Sequence, residues 1–134
     1  MNSNRYLTVS FILLALLTGG APLAAQAQTR IAVEKRIQLS RGRTRTIRGK
    51  ADSTTSYVYK LRARKDQTLE ARVTSEGGAA SFSIVPPGTQ ILDNAAGVSQ
   101  WSGALPEDGE YSIIVTISTS GEAEIPYTLE LTMK

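Results

Sequence analysis

The sequence contains no cysteine and no histidine. Their absence excludes Ser-His-Asp and Cys-His nucleophilic arrangements. It also excludes structural zinc sites and nearly all catalytic ones. No disulfide can staple the chain, so the fold must rest on its own apolar core. Aromatics are few: one Trp, five Tyr and two Phe. Gly77-Gly78 lacks the Lys-Ser/Thr that would make a phosphate loop, and no Ser-x-x-Lys motif is present. Long hydrophobic runs are missing too, since Leu7 to Leu17 spans only about eleven residues, too short for a bilayer.

That short run has another meaning. Arg5 precedes it, Gly19, Gly20 and Pro22 break it, and Ala25-Gln26-Ala27 supplies a small-x-small cleavage site. Residues 1–27 therefore read as a secretory signal cleaved after Ala27, with a membrane anchor disfavoured by the short run. A lipoprotein anchor would need a cysteine. The expected mature chain is a single domain, residues 28–134, located in the periplasm or secreted. No transmembrane segment is expected after cleavage.

Charge is unevenly placed. Residues 28–72 hold 13 Lys/Arg against 4 Asp/Glu, a net of +9, whereas residues 73–134 hold 1 against 8, a net of −7. Arg41, Arg43, Arg45 and Arg48 crowd one stretch, a basic patch that suits a polyanion or an acidic partner. The blander reading is that such charges solvate the surface or pair across the domain.

Apolar residues alternate with polar ones almost throughout. Strands are expected around Ile37-Leu39, Arg43 to Arg48, Tyr57 to Ala63, Leu69 to Val73, Phe82 to Pro86, Ile91-Leu92, Val98 to Leu105, Tyr111 to Ile117 and Tyr127 to Met133. Arg41-Gly42 to Gly49 reads as a Gly-bearing hairpin, and residues 28–34 as a loose tail or an edge strand. Pro86-Pro87-Gly88 suggests a type II turn, Glu76-Gly77-Gly78 a turn with positive φ, and Asp108-Gly109 and Ser120-Gly121 further turns. The fold class is all-β: an antiparallel, jelly-roll-like β-sandwich of about eight strands. The expected core is Ile37, Leu39, Tyr57, Tyr59, Leu61, Leu69, Ala71, Val73, Phe82, Ile84, Leu105, Tyr111, Ile113, Val115, Tyr127, Leu129 and Leu131.

Two features bear on function. Glu107, Asp108 and Glu110 cluster on one turn. A glycosidase needs carboxylates facing one another across a cleft, and a calcium loop needs regular Asp spacing. Three on one turn read instead as a solvated tip. Trp101 lies in the polar context Gln100-Trp101-Ser102-Gly103, and either anchors a partner or caps the core. Tyr111 either joins that surface or acts as a corner tyrosine bonded to nearby backbone.

The order of landmarks is specific enough to compare. A Gly-bearing segment is followed by Tyr57-Val58-Tyr59-Lys60-Leu61, then Lys65-Asp66-Gln67, Phe82-Ser83-Ile84-Val85-Pro86-Pro87-Gly88, Trp101-Ser102-Gly103, Leu105-Pro106-Glu107-Asp108-Gly109-Glu110-Tyr111 and Tyr127-Thr128-Leu129. This order resembles the bacterial pre-peptidase C-terminal domain family, in particular its stand-alone members related to periplasmic inhibitors of g-type lysozyme. The resemblance implies a compact jelly-roll-like sandwich. It implies an accessory module in multidomain relatives, and in the inhibitors a Ser-Gly-x-Tyr-type loop that blocks the lysozyme cleft. The matching positions are Asp108, Gly109, Glu110 and Tyr111, with Asp108 in place of the Ser. The Arg-rich segment of the inhibitors falls on Ser118 to Glu124, which has no Arg.

The expectation is thus an exported binding protein, not an enzyme, with no cofactor and no metal. Its partner is a lysozyme or another envelope or extracellular protein, met by Glu107, Asp108, Gly109, Glu110, Tyr111 and Trp101 around the Pro106–Tyr111 loop. The alternative is an accessory module binding envelope components or polyanions through the Arg41–Lys50 hairpin. No specific nucleic acid is implied, and a monomer or weak dimer is expected.

Overall fold

The computed structural model describes residues 31–88, 90–119 and 123–134. Among them lie eight strands: β1 (Ile31–Arg36), β2 (Thr44–Ala51), β3 (Thr55–Ala63), β4 (Thr68–Ser75), β5 (Ala80–Val85), β6 (Gln100–Ala104), β7 (Gly109–Ile117) and β8 (Ile125–Met133). They form two four-stranded sheets, ordered β1-β3-β7-β5 and β2-β8-β4-β6. The expected all-β sandwich is present. The expected export signal and the Ser120-Gly121 turn lie outside the described residues.

The core follows from two-residue periodicity. Tyr111, Ile113, Val115 and Ile117 of β7 are buried, as are Tyr127, Leu129, Leu131 and Met133 of β8. Each of these strands is central in its sheet. Their inward faces meet Leu61, Leu69, Val73, Phe82 and Ile84 in one apolar cluster. Residues on the alternate positions face solvent.

Several expectations are corrected. The sheets are not wholly antiparallel, because β1 pairs with β3 in parallel, Ile31 opposite Thr55 and Arg36 opposite Lys60. After β1 the chain crosses to the other sheet, runs as β2, then returns as β3. Two reversals restore the original direction, so β1 and β3 run the same way. Ile37-Leu39 is not a strand but this crossover. Ile37 is buried between the sheets, while Leu39 and Tyr57 are only half-buried against the core.

Arg41 to Lys50 is not a hairpin. Its ordered part is the edge strand β2, whose antiparallel partner is β8, with Thr44 opposite Thr132 and Ile47 opposite Leu129. A hairpin needs a neighbouring antiparallel strand, and the preceding chain belongs to the crossover. Ile91-Leu92 also forms no strand: Leu92 N–H donates to the Ile84 carbonyl at 2.9 Å within a loop that folds over the β5 edge. Gly88 does not adopt a positive φ, so Pro86-Pro87-Gly88 makes no type II turn. Gly77 and Gly78 do take positive φ, 69° and 68°.

Candidate functional site

The β6–β7 connection is built from both ends. Leu105 is buried, its N–H donates to the Gln67 carbonyl at 2.8 Å, and its own carbonyl accepts from Asp66 N–H at 2.8 Å. The turn between β3 and β4 thereby holds the start of the connection. Pro106, Glu107 and Asp108 follow as an exposed tip. Asp108 Oδ1 accepts from Lys65 N–H at 2.7 Å, which ties the tip to the same turn.

Gly109 closes the tip with φ 138°, a backbone state that side chains rarely adopt. A Cβ there would also lie 2.7 Å from Pro87 Cγ. Conformation and space both demand glycine at this position.

Tyr111 is fully buried. Its hydroxyl donates to the Glu107 carbonyl at 2.6 Å and accepts from Glu107 N–H at 3.1 Å. Burial pushes its pKa above the ordinary 10.0, and the nearby Glu107 and Asp108 charges add to the rise. The corner reading of Tyr111 is therefore the structural one, and its ring offers no surface to a partner.

Glu110 parts company with the other two acids. It pairs with Arg36 and lies 3.9 Å from Lys60 Nζ, which also reaches Glu34 at 3.4 Å. These groups form a ladder of alternating charge across the outer face of β1, β3 and β7. The expected acidic trio thus divides into Glu107 and Asp108 at the tip and Glu110 on the sheet face.

Trp101 stands opposite Ala71 in register and so shares the inward face of β6. Its ring lies over Gly103, where an added Cβ would come within 2.9 Å of it. Its Nε1–H donates to the Asp93 carbonyl at 3.2 Å. Half-buried, it covers the open side of the sandwich. It also lines a hollow with Pro106 and Glu107 of the tip and with Ile91, which is 46% exposed. Trp101 and the tip are therefore neighbours, and Ile91 joins them. Alternation places Ile91 in a strand, whereas Asp93-Asn94 just after it, with Asn94 at φ 60°, is the local turn signal.

The basic patch divides as well. Arg45 Nη1–H donates to the Gln38 carbonyl at 3.2 Å, on the crossover side of β2. Arg48 alternates to the outer face of β2 and lines a hollow with Lys50, Glu76 and Pro126. Arg43 is exposed just before β2. Arg41 bridges to Met133 and shares a cleft with Arg64, Lys65 and Lys134 at the tip end of the sandwich. Among the described residues no group of acids is placed to hold a metal ion. No helix among them is long and apolar enough to cross a membrane.

No family model matches the chain, and no curated protein matches it in sequence. Solved structures do match. Aeromonas hydrophila PliG, a periplasmic lysozyme inhibitor of g-type lysozyme, is 22% identical with a TM-score of 0.65, covering 78% of this chain and 99% of that one. Salmonella Typhimurium PliG, also a periplasmic inhibitor of g-type lysozyme, is 20% identical with a TM-score of 0.58, covering 76% and 98%. The fold is the one these inhibitors carry. It extends beyond them, since the pre-peptidase C-terminal domain of a Bacillus anthracis collagenase is 18% identical with a TM-score of 0.54, covering 80% of this chain and all of that one. The resemblance read from the sequence is therefore matched in three dimensions. In the PliG-like fold of this chain, the tyrosine of the Ser-Gly-x-Tyr-type position is an internal brace.

Proposed function

We propose that this chain is an exported, non-catalytic binding protein that inhibits a g-type lysozyme by seating the Pro106–Asp108 tip in the enzyme's cleft. The observation that carries this reading is the braced, exposed pair Glu107 and Asp108. Tyr111 holds the tip from within, and Lys65 N–H holds it from the side. A braced tip loses little conformational freedom on binding, and two exposed carboxylates suit a partner surface that offers donors and positive charge. Trp101 and Ile91 beside the tip supply an apolar shoulder. The fold shared with two periplasmic inhibitors supports the same partner and compartment. The test is calorimetric titration of a g-type lysozyme into the purified protein. Saturable binding that falls at least about tenfold in Glu107→Lys and Asp108→Lys supports the reading; equal affinity in all three proteins rejects it.

A second reading rests on Arg41. Arg41 lines a cleft with Arg64, Lys65 and Lys134 at the end of the sandwich, with Asp66 on the same wall and Lys134 paired to Glu70. Such a cluster supports binding of an envelope polyanion. Affinity that falls steeply with salt would carry it.

A further inference from the structure

The outer face of the β2-β8-β4-β6 sheet has a composition that neither reading uses. Register places Thr46, Glu130, Arg72 and Gln100 in one row across all four strands. The adjacent row is Thr44, Thr132, Glu70 and Ser102. A hollow of about 540 Å³ lies over these rows.

Partners within the chain account for part of this surface. Thr44 and Thr132 bond to one another through their hydroxyls at 2.7 Å. Glu70 accepts from Lys134 Nζ at 3.1 Å. Arg72 and Glu130 stand directly opposite in register yet make no ion pair among the described residues. A guanidinium and a carboxylate thus lie side by side with their hydrogen-bonding capacity open. Gln100, beside Arg72, adds an amide that both donates and accepts.

We propose that this hollow binds a neutral, hydroxyl-rich oligosaccharide, held by Arg72, Glu130 and Gln100. Three observations select that class. The two open charges are of opposite sign, so the site favours neither a polyanion nor a polycation. The floor is made by β8 and β4, interior strands whose backbone groups are already paired on both sides, so a ligand lying over it meets side chains and not open backbone groups. The side chains alternate donors and acceptors over a flat, polar pleat, and a sugar ring presents neighbouring hydroxyls that each donate and accept. A carboxylate takes two hydroxyl protons while a guanidinium gives two N–H bonds to the adjacent oxygens. Trp101 borders the hollow, but it stands opposite Ala71 with its ring turned over Gly103 on the inward face, so recognition runs through hydrogen bonds and not through ring stacking. This face is separate from the Glu107–Asp108 tip, and the proposal stands without the lysozyme reading.

The test is a titration of the isotope-labelled protein, followed by amide NMR shifts, with cellotetraose, maltotetraose and the tetramer of N-acetylglucosamine as probes. The expected result is saturable shifts at Thr46, Arg72, Gln100 and Glu130 with at least one probe, at a dissociation constant of about 1 mM or tighter. Arg72→Ala and Glu130→Ala should each weaken that binding about tenfold or more while the thermal midpoint stays near wild type, because both side chains lie on the surface. The proposal is overturned if none of the three sugars produces saturable shifts on this face. It is equally overturned if the shifts map to the tip, or if both variants bind as wild type does.

Discussion

The Tyr111 hydroxyl is bonded twice to the backbone of Glu107, donating to its carbonyl at 2.6 Å and accepting from its N–H at 3.1 Å. One buried side chain four residues downstream therefore sets the conformation of an exposed acidic tip. Tyr111→Phe keeps the ring and removes both bonds. It should destabilise the protein by about 1–3 kcal/mol, because two polar groups lose their partner. Urea unfolding measures this, and the slope with denaturant should stay the same.

Gly109 supports the same tip from its far side. At φ 138°, with Pro87 Cγ 2.7 Å from any added Cβ, alanine would meet strain and a clash together. Gly109→Ala should cost about 1–3 kcal/mol or more. A companion Pro87→Ala should recover part of that loss by opening the space, and thermal unfolding of the single and double variants would show it.

Much of this arrangement was legible in the sequence and part was not. Tyr127 to Met133 alternates strictly, and Tyr111 to Ile117 does so apart from Ile114, because each strand lies between two others and buries one whole face, so period alone reveals them. The tip was visible in Pro106, Asp108 and Gly109, whose turn chemistry is local. The pairing of β1 with β3 left no local trace, since it depends on a crossover through the opposite sheet. Arg41 to Arg48 looked like a hairpin because Gly42 and Gly49 punctuate it. Gly49 instead makes room for Tyr127, whose hydroxyl would lie 2.6 Å from a Cβ there. The division of Glu110 from Glu107 and Asp108 follows from β7 starting at Gly109, after those two and before Glu110, and from Arg36 on a strand far away in sequence.

Tyr59 and Tyr127 join their hydroxyls at 2.5 Å between the two sheets. Removing one hydroxyl leaves the other buried without a partner; removing both leaves an apolar contact of the same shape. Tyr59→Phe should therefore cost about 1–3 kcal/mol, and adding Tyr127→Phe should cost little more or restore some stability. A double-mutant cycle in urea reads the coupling directly.

The same tyrosines set the alkaline limit. Burial raises the pKa of Tyr59, Tyr111 and Tyr127 above the ordinary 10.0. In the unfolded chain they ionise near that ordinary value, whereas in the fold they keep their protons. Their contribution is therefore complete below about pH 10 and is lost as pH rises above it toward the folded values. Stability should fall steeply over that range. Tyrosinate absorbance should appear for these three residues only together with unfolding, monitored by circular dichroism on the same sample.

The central claim is that the braced Glu107–Asp108 tip blocks a lysozyme. The most direct measurement is turnover by a g-type lysozyme with increasing amounts of the protein. Wild type is expected to inhibit at micromolar concentration or below, and Glu107→Lys with Asp108→Lys to raise the required concentration by about tenfold or more. Undiminished turnover at saturating wild-type protein, or full inhibition by the doubly reversed tip, would contradict it.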